Sequence, residues 1–470
     1  MGLIKILSSA AEQLSASSIN RHLYGAPLRI IISFLLFILV FPVTAADLDL
    51  DQPEYHSFEL ENGLEFMVFP DHSIPSIKYS TYYNVGSIDE KEGQTGISHF
   101  LEHLMFMGTK NLPEGEIDNL ITSVGGQLNA ATFYDFTFYY HQVPAAALEL
   151  AAALESDRMR NLTFDQQKVN REREVIKQER RMRVDNNIFS KGFEEIKAYA
   201  YPDTYLEHGI IGWMEDISNI TTAELKEHYQ SYYSPNNALV VVSGDVKVEA
   251  VKKMAQKYYA DFKPAAIKRK DFKFPKEESE KVYTLNLKTN LPYAFQLYQI
   301  PAGDQLELTA VEIFLDILAN NQSSRLKEKL QKKEELILAS AATINTLRKE
   351  SFAAIYFIPS NPDLVETAQQ AFDRELKLIF EEGITEQEFK IVKKQYQKSL
   401  IFSQKNIDST AETYAINKIR FNKPELLQQK IEYMNNLTKE DVVQIAEKYF
   451  KKNQRTRGYI LPEAKGGAQQ

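Results

Sequence analysis

The feature that most constrains the fold is that the chain resembles itself. Residues 220–233 read ITTAELKEHYQSYY and residues 437–450 read LTKEDVVQIAEKYF. Both place Thr where a helix N-cap belongs, acids in the first turn and a Tyr–aromatic pair at the end. Each runs on into an apolar strand candidate, ALVVVSGDV at 238–246 and RGYILPE at 457–463. The offset is 217 residues, and a second pair, LTFDQQKVNREREVI at 162–176 and ITEQEFKIVKKQYQK at 384–398, lies at a similar one. Two pairs at similar offset suggest a duplicated unit of roughly 200 residues, an ordinary domain size. Two unrelated amphipathic helices with common caps would look alike too, so the repeat does not carry the argument alone.

Both halves mix strands and helices. Phe58, Leu60, Asn62-Gly63, Leu64, Phe66 and Val68 read as a β-hairpin about an Asn-Gly turn. Ile77, Tyr79, Thr81, Tyr83 and Val85 alternate as a strand, and Pro144 opens an Ala/Leu/Glu helix to about Arg160. A charged stretch with Pro264 and Pro275, FKPAAIKRKDFKFPKEESEK at 262–281, lacks helical periodicity and reads as the boundary. The expected organisation is an N-terminal segment 1–46, a first domain 47–262, a linker 263–281 and a second domain 282–465. Both domains are expected to be layered α/β sandwiches.

The N-terminal segment carries the apolar run IIISFLLFILVFPV at 30–43, with Arg21 and Arg29 before it and Thr44, Ala45 and Ala46 after it. That is the layout of a secretory signal peptide cleaved after Ala45 or Ala46. The run is short for a membrane span, which takes about 20 apolar residues. An uncleaved anchor in the inner membrane is the alternative, because the leading segment is long. The expectation is export, to the periplasm in a Gram-negative cell, with no membrane attachment after cleavage. The 64 acids against 55 bases argue against a nucleic-acid partner. The chain has no cysteine, which excludes disulfides, thiolate metal sites and cysteine nucleophiles. All 8 histidines lie at or before His228, so any histidine chemistry belongs to the first half.

Three of the chemically capable residues sit on one predicted helix, TGISHFLEHLMFMG at 95–108, with Gly108 as its stop. His99 and His103 are four apart, so their rings leave one face together, as two ligands of one metal must. Glu102 lies beside them. The pattern is H-x-x-E-H, in which two imidazoles hold zinc and the glutamate takes a proton from water. Two histidines on a helix also occur as ordinary surface residues, so a third ligand matters. The segment 165–183 reads as a strong helix in which Glu172 and Glu179 are seven apart, two turns on one face. One could complete a two-histidine, one-carboxylate set and the other could orient a ligand histidine. Spacing alone does not choose among Glu172, Glu174 and Glu179, and most glutamates of a charged helix are solvated.

These residues resemble the pitrilysin family of zinc metallopeptidases, which includes insulin-degrading enzyme and mitochondrial processing peptidase. HFLEH at 99–103 has that family's motif, and EREVIKQE at 172–179 is similar to its second motif. There a glutamate some 76 residues past the last histidine is the third ligand, which falls on Glu179, and the matching earlier glutamate is Glu172, implied to support the site. GGQLNAATFYDFTFYYHQVP at 125–144 resembles the strand whose edge receives substrate, with Asn129 and Ala130 at the matching positions. SPNNALVVVSGDV at 234–246 resembles the family's closing strand. The resemblance implies an α+β fold of two homologous sandwich domains, each a mixed, mainly antiparallel sheet with helices packed on it. It also implies a Zn2+ cofactor, and peptides or unfolded segments as substrates that add a strand beside the zinc.

The second half departs from the family pattern. It has no histidine, so its equivalent site cannot bind metal. Family members commonly carry an Arg and a Tyr there, implied to bind substrate, in a stretch similar to S-R-L-x-x-x-L-R-x-x-x-x-L-x-Y. Here SSRLKEKLQKKEELILAS at 323–340 keeps Ser324, Arg325 and Leu326, but the later positions hold Gln331 and Leu338. The chain is also about half the length of the two-pair enzymes. The expectation is a catalytic subunit paired with a homologous, Arg/Tyr-bearing chain. The alternatives are a homodimer in which Arg325 or another residue compensates, a maturation peptidase for a small precursor, and a non-catalytic peptide-binding or assembly subunit.

Overall fold

The structure is a computed structural model that describes residues 52–272, 274 and 279–463. The signal-like run and the expected end of the mature chain's leader lie outside them. No helix among the described residues is long and apolar enough to cross a membrane.

The first half builds a sheet from β1 (His56–Glu59), β2 (Glu65–Pro70), β3 (Ser76–Tyr83), β4 (Gln127–Thr132), β5 (Thr137–Pro144) and β6 (Ala238–Gly244). Its order is β1-β2-β6-β3-β5-β4, antiparallel except where β2 meets β6. The Asn-Gly turn joins β1 to β2, with Gly63 at φ +84°, a conformation that suits glycine. The second half builds β7 (Lys281–Leu287), β8 (Tyr293–Ile300), β9 (Ile337–Asn345), β10 (Ser351–Pro359) and β11 (Arg455–Pro462). Its order is β7-β11-β8-β10-β9, and only β7 and β11 run parallel. Set β1 aside and the two orders match strand for strand.

The self-similar helices occupy equivalent places. Thr222–Tyr232 precedes β6 and is closed by a capping box of Thr221 and Glu224. Lys439–Tyr449 precedes β11 and has the same box from Thr438 and Asp441. Gln166–Arg180, capped by Asp165, pairs with Glu386–Ser403, capped by Thr385. The duplicated α+β architecture of the sequence reading is therefore the architecture found. Two local readings change. The segment 125–144 is not one strand but the β4–β5 hairpin, because Phe133–Phe136 turn the chain back. The motif helix ends at Leu104, short of Gly108, which takes φ +96° in the loop beyond.

Each sheet has one face covered by its own half and one by the other. The first core packs β2, β3, β5 and β6 side chains such as Phe66, Val68, Tyr79 and Val240 under helices of the first half. Its opposite face, with Met67, Phe69, Tyr82 and Val241, is covered by Ala411, Tyr414 and Ala415 of the helix Ile407–Phe421. In return Ile196 and Ala200 of the helix Ile188–Ala200 pack with Phe295, Leu297, Phe352 and Ile460 on the second sheet. Among the described residues 263–280 there is no helix or strand.

Candidate metal centre

The motif helix, Ile97–Leu104, is anchored by Ile97, Phe100, Leu101 and Leu104, all fully buried or nearly so. It starts at Gly96, where φ is +85° and an added Cβ would stand 2.3 Å from the Ile211 carbonyl oxygen. Only glycine fits there. The helix packs on Gln166–Arg180, which brings the second group of acids alongside.

His99 and His103 project together, with ring centroids 4.8 Å apart. Glu179 Oε2 lies 3.6 Å from His99 Nε2 and 3.4 Å from His103 Nε2. One ligand atom from each of the three falls within 4.8 Å of the others. Tetrahedral ligands about 2.0–2.1 Å from zinc stand roughly 3.3–3.4 Å from one another, so the spacing suits such an ion with little adjustment. On the far side of His103, Nδ1 faces Glu172 Oε2 at 3.5 Å. Glu172 is buried, and Arg183 Nη2 meets Glu179 Oε1 at 3.0 Å. Glu174 points away to solvent, paired with Lys177 at 2.9 Å. His99 Nδ1 is buried with no hydrogen-bond partner among the described residues.

The charges of the site are uneven. Burial pushes His99 down to about 4, and the neighbouring His103 adds to it. Burial also opposes charge on His103, but Glu172 and Glu179 outweigh it and hold the imidazole up at about 9. The bond with His103 holds Glu179 below the usual carboxylate range. Glu102 goes the other way, because burial pushes its carboxyl up against the opposing Thr132 hydrogen bond. Thr132 Oγ1 donates to Glu102 Oε2 at 2.5 Å. Thr132 ends β4, so the carboxylate beside the histidines is tied to that strand. Sequence reasoning missed Thr132, though it lies in the quoted hairpin.

Among the described residues β4 is the sheet's outer strand, hydrogen-bonded to β5 alone. Asn129 and Ala130 lie on it, opposite Tyr140 and Tyr139. Asn129 is exposed, and its Oδ1 accepts the Ala130 N–H at 2.9 Å. In the second half Arg325 is committed elsewhere. Its Nε and Nη2 donate to Glu388 at 2.7 and 3.0 Å and Nη2 also to the Gly383 carbonyl. Leu338 stands 47% exposed on β9, and Gln331 lies in the turn of helix before it.

Two histidines and a carboxylate converging from two packed helices, with a further carboxylate at their side, define a centre of the metallohydrolase kind on a duplicated α+β scaffold. The comparisons with known proteins are specific about which. Residues 71–212 match the family model "Insulinase (Peptidase family M16)", and residues 219–396 match "Peptidase M16 inactive domain". The chain belongs to the M16 family of peptidases, the insulinase or pitrilysin family. A Helicobacter pylori protein named zinc protease PqqE is 28% identical over 87% of this chain and 93% of its own length. A probable mitochondrial-processing peptidase subunit beta of Arabidopsis thaliana is 30% identical over 45% of this chain and 40% of its own. Among solved structures, a protease from Helicobacter pylori superposes with a TM-score of 0.82 at 28% identity, covering 87% of this chain and all of that one. The periplasmic protease PqqL from Escherichia coli shares the fold, with a TM-score of 0.73 at 21% identity over 89% of this chain and 48% of its own.

Proposed function

We propose that this chain is an exported zinc metalloendopeptidase that cleaves peptides or unfolded segments, as the catalytic member of a pair. The observation that carries the reading is the convergence of Glu179 on both Nε2 atoms, with Glu102 at the foot of the open strand β4. His99, His103 and Glu179 are the metal ligands, and Glu172 orients His103 through Nδ1. Zinc held there would supply a Lewis acid and lower the pKa of a bound water. Relatives that bear the name zinc protease support that identity for the metal.

The other steps belong to the chain's own residues. Burial raises the proton affinity of Glu102, which suits it to take a proton from water and return it to the leaving amine. The free edge of β4 accepts an extended peptide as an added strand, read through its backbone before its side chains. Asn129 must then release the Ala130 N–H for the incoming carbonyl. The first unit, 47–262, carries the chemistry, and the second, 282–465, joined through 263–281, supports it. The signal-like run at 30–43 and the periplasmic relative favour export to the periplasm. The processing-peptidase relative, named as a subunit, favours a paired assembly.

Glu102→Gln tests the reading. The variant should bind zinc as the wild type does and cleave an unstructured peptide at least about two orders of magnitude more slowly, the scale of a general base. Undiminished turnover would remove Glu102 from the mechanism. A wild-type protein that binds zinc and peptide but never cleaves would favour the non-catalytic subunit instead.

A further inference from the structure

The second half, which has no histidine of its own, makes one of its several contacts with the first half next to the site. The loop between β9 and β10 carries Arg348. Its Nη2 donates to both oxygens of Asp89, at 2.6 and 2.8 Å, and its backbone N–H donates to Asp135 Oδ2 at 2.8 Å. Nη1 reaches the Asn84 side chain. Arg420, on the covering helix Ile407–Phe421, donates to the same Asp135 oxygen at 2.9 Å. The Asp89 and Asp135 side chains are each only 2% exposed, so these are desolvated contacts rather than surface pairs.

Both aspartates sit on elements that build the site. Asp89 ends the short turn Ser87–Asp89 and leads directly into Glu90. The Glu90 carboxylate, fully buried, accepts the Gly96 N–H at 2.8 Å and the Ser98 N–H at 3.0 Å. Those are free amides at the start of the helix that holds His99, Glu102 and His103. Asp135 is at the tip of the β4–β5 hairpin, and Thr132 at the near end of β4 holds Glu102. The turn and the tip are bonded to each other, Ser87 N–H to Phe133 O at 3.3 Å and Ile88 N–H to Tyr134 O at 2.8 Å. They approach so closely at Gly86 that an added Cβ would meet the Phe133 carbonyl oxygen at 2.3 Å.

We infer that Arg348 is a positioning residue: from the second half it locks the start of the metal-binding helix and the tip of the substrate-strand hairpin into one register. It never touches metal or substrate. It acts through Asp89 and Glu90 on one side and through Asp135 on the other. Without its guanidinium, Asp89 keeps Arg269, which comes from the connecting segment, and the Gly86 N–H, while Asp135 keeps Arg420 and the backbone N–H of residue 348. What is lost is the side chain that spans the two, bonded to the Asp89 carboxylate on one side and to the Asp135 carbonyl on the other. The two elements can then shift against each other, and ligand geometry loosens with them. This inference rests on the reading of His99, His103 and Glu179 as metal ligands.

The test compares Arg348→Ala and Arg348→Lys with Lys418→Ala. Lys418 also joins the halves, through Glu65 at 2.6 Å, but touches neither element. Amide hydrogen exchange is followed in the metal-free and zinc-loaded full chain, and zinc affinity is measured by competition with a chromogenic chelator. In Arg348→Ala, exchange should quicken at 86–104 and 127–136 while the other helices keep wild-type protection. Zinc should bind about 10-fold more weakly, the lower end of what outer partners contribute to a metal site. Arg348→Lys should recover part of both, and it carries the test if the alanine variant fails to fold. Lys418→Ala should change neither. Exchange that quickens evenly through both halves, or zinc affinity equal to wild type, would overturn the inference. If His99→Ala leaves zinc binding unchanged, the ligand reading falls, while exchange at 86–104 still reports on Arg348.

Discussion

At His103 two carboxylates share one imidazole from opposite sides, Glu179 at Nε2 and Glu172 at Nδ1. That asymmetry divides their roles. Glu179→Gln should weaken zinc binding severely, since a carboxamide is a poor replacement for a charged ligand. Glu172→Gln should cost about 10-fold in affinity or activity, because it removes only the partner that orients the ring. Metal content by atomic absorption, after dialysis against a weak chelator, separates the two. Equal zinc in wild type and Glu179→Gln would sink the assignment. The same pair of acids sets a pH dependence. His103 is held up at about 9 in the metal-free protein, above its ordinary value near 6.5, so this ion pair stabilises the metal-free fold fully below about 6.5 and the gain is lost as pH rises through 9. Metal requires the neutral ring, so binding expels that proton. His99, pushed down to about 4, is already neutral at working pH and adds no such cost. Zinc affinity should therefore climb about tenfold per pH unit from 6 to 8 and level off above 9. A flat profile between 6 and 8 would show that His103 is neutral without metal. The histidine pair was legible in the sequence because a spacing of four fixes a shared helix face. The choice among Glu172, Glu174 and Glu179 was not, since spacing says which acids share a face and not which way that face turns. The resemblance pointed to Glu179, while Thr132 had no local signal, because its contact with Glu102 spans 30 positions.

The helices show where local pattern stops being informative. Ile188–Ala200 and Ile407–Phe421 are half-buried helices, and a helical pattern cannot say what such a face packs against. In the fold each crosses to cover the other half's sheet. The exchange depends on close approach, for an added Cβ at Gly192 would fall 2.2 Å from Ile460 Cδ1 and one at Gly458 would fall 2.3 Å from Ile196 Cγ2. Two glycines facing each other's isoleucines let the helix sit against the strand. Ile196 is fully buried in that contact, so Ile196→Ala should lower unfolding free energy by about 2–5 kcal/mol, the range for large-to-small changes in a core. Urea unfolding followed by tryptophan fluorescence and by circular dichroism measures it. A loss below about 0.5 kcal/mol would mean that the helix does not depend on this packing. The β4–β5 hairpin, read as one strand in the sequence, was hidden for a related reason. Aromatic residues run through its turn from Phe133 to Phe136, where turn-forming glycine or proline would have announced it.

At the scale of the whole molecule, one half carries the candidate metal ligands His99, His103 and Glu179, and the other packs against it. In the second half, the two positions where the family pattern places an Arg and a Tyr hold Gln331 and Leu338. Arg325 is turned inward onto Glu388 and the Gly383 carbonyl, and the two following positions of the family pattern hold an amide and an exposed leucine. Arg325 therefore cannot act as the compensating residue without breaking the cap of its own domain. On the proposed reading a homologous chain closes over β4 and brings the missing guanidinium and phenol. Native purification through a tag on this chain should then yield two bands of similar size, the second lacking H-x-x-E-H. The chain by itself should bind zinc with full affinity yet cleave slowly, and the second chain should raise kcat by about two orders of magnitude, the usual worth of an oxyanion donor. Measuring zinc and turnover separately matters, because a partner that merely stabilised the fold would raise both. A single species, fully active as a monomer or homodimer, would overturn the pairing and would require the donor to come from within this chain.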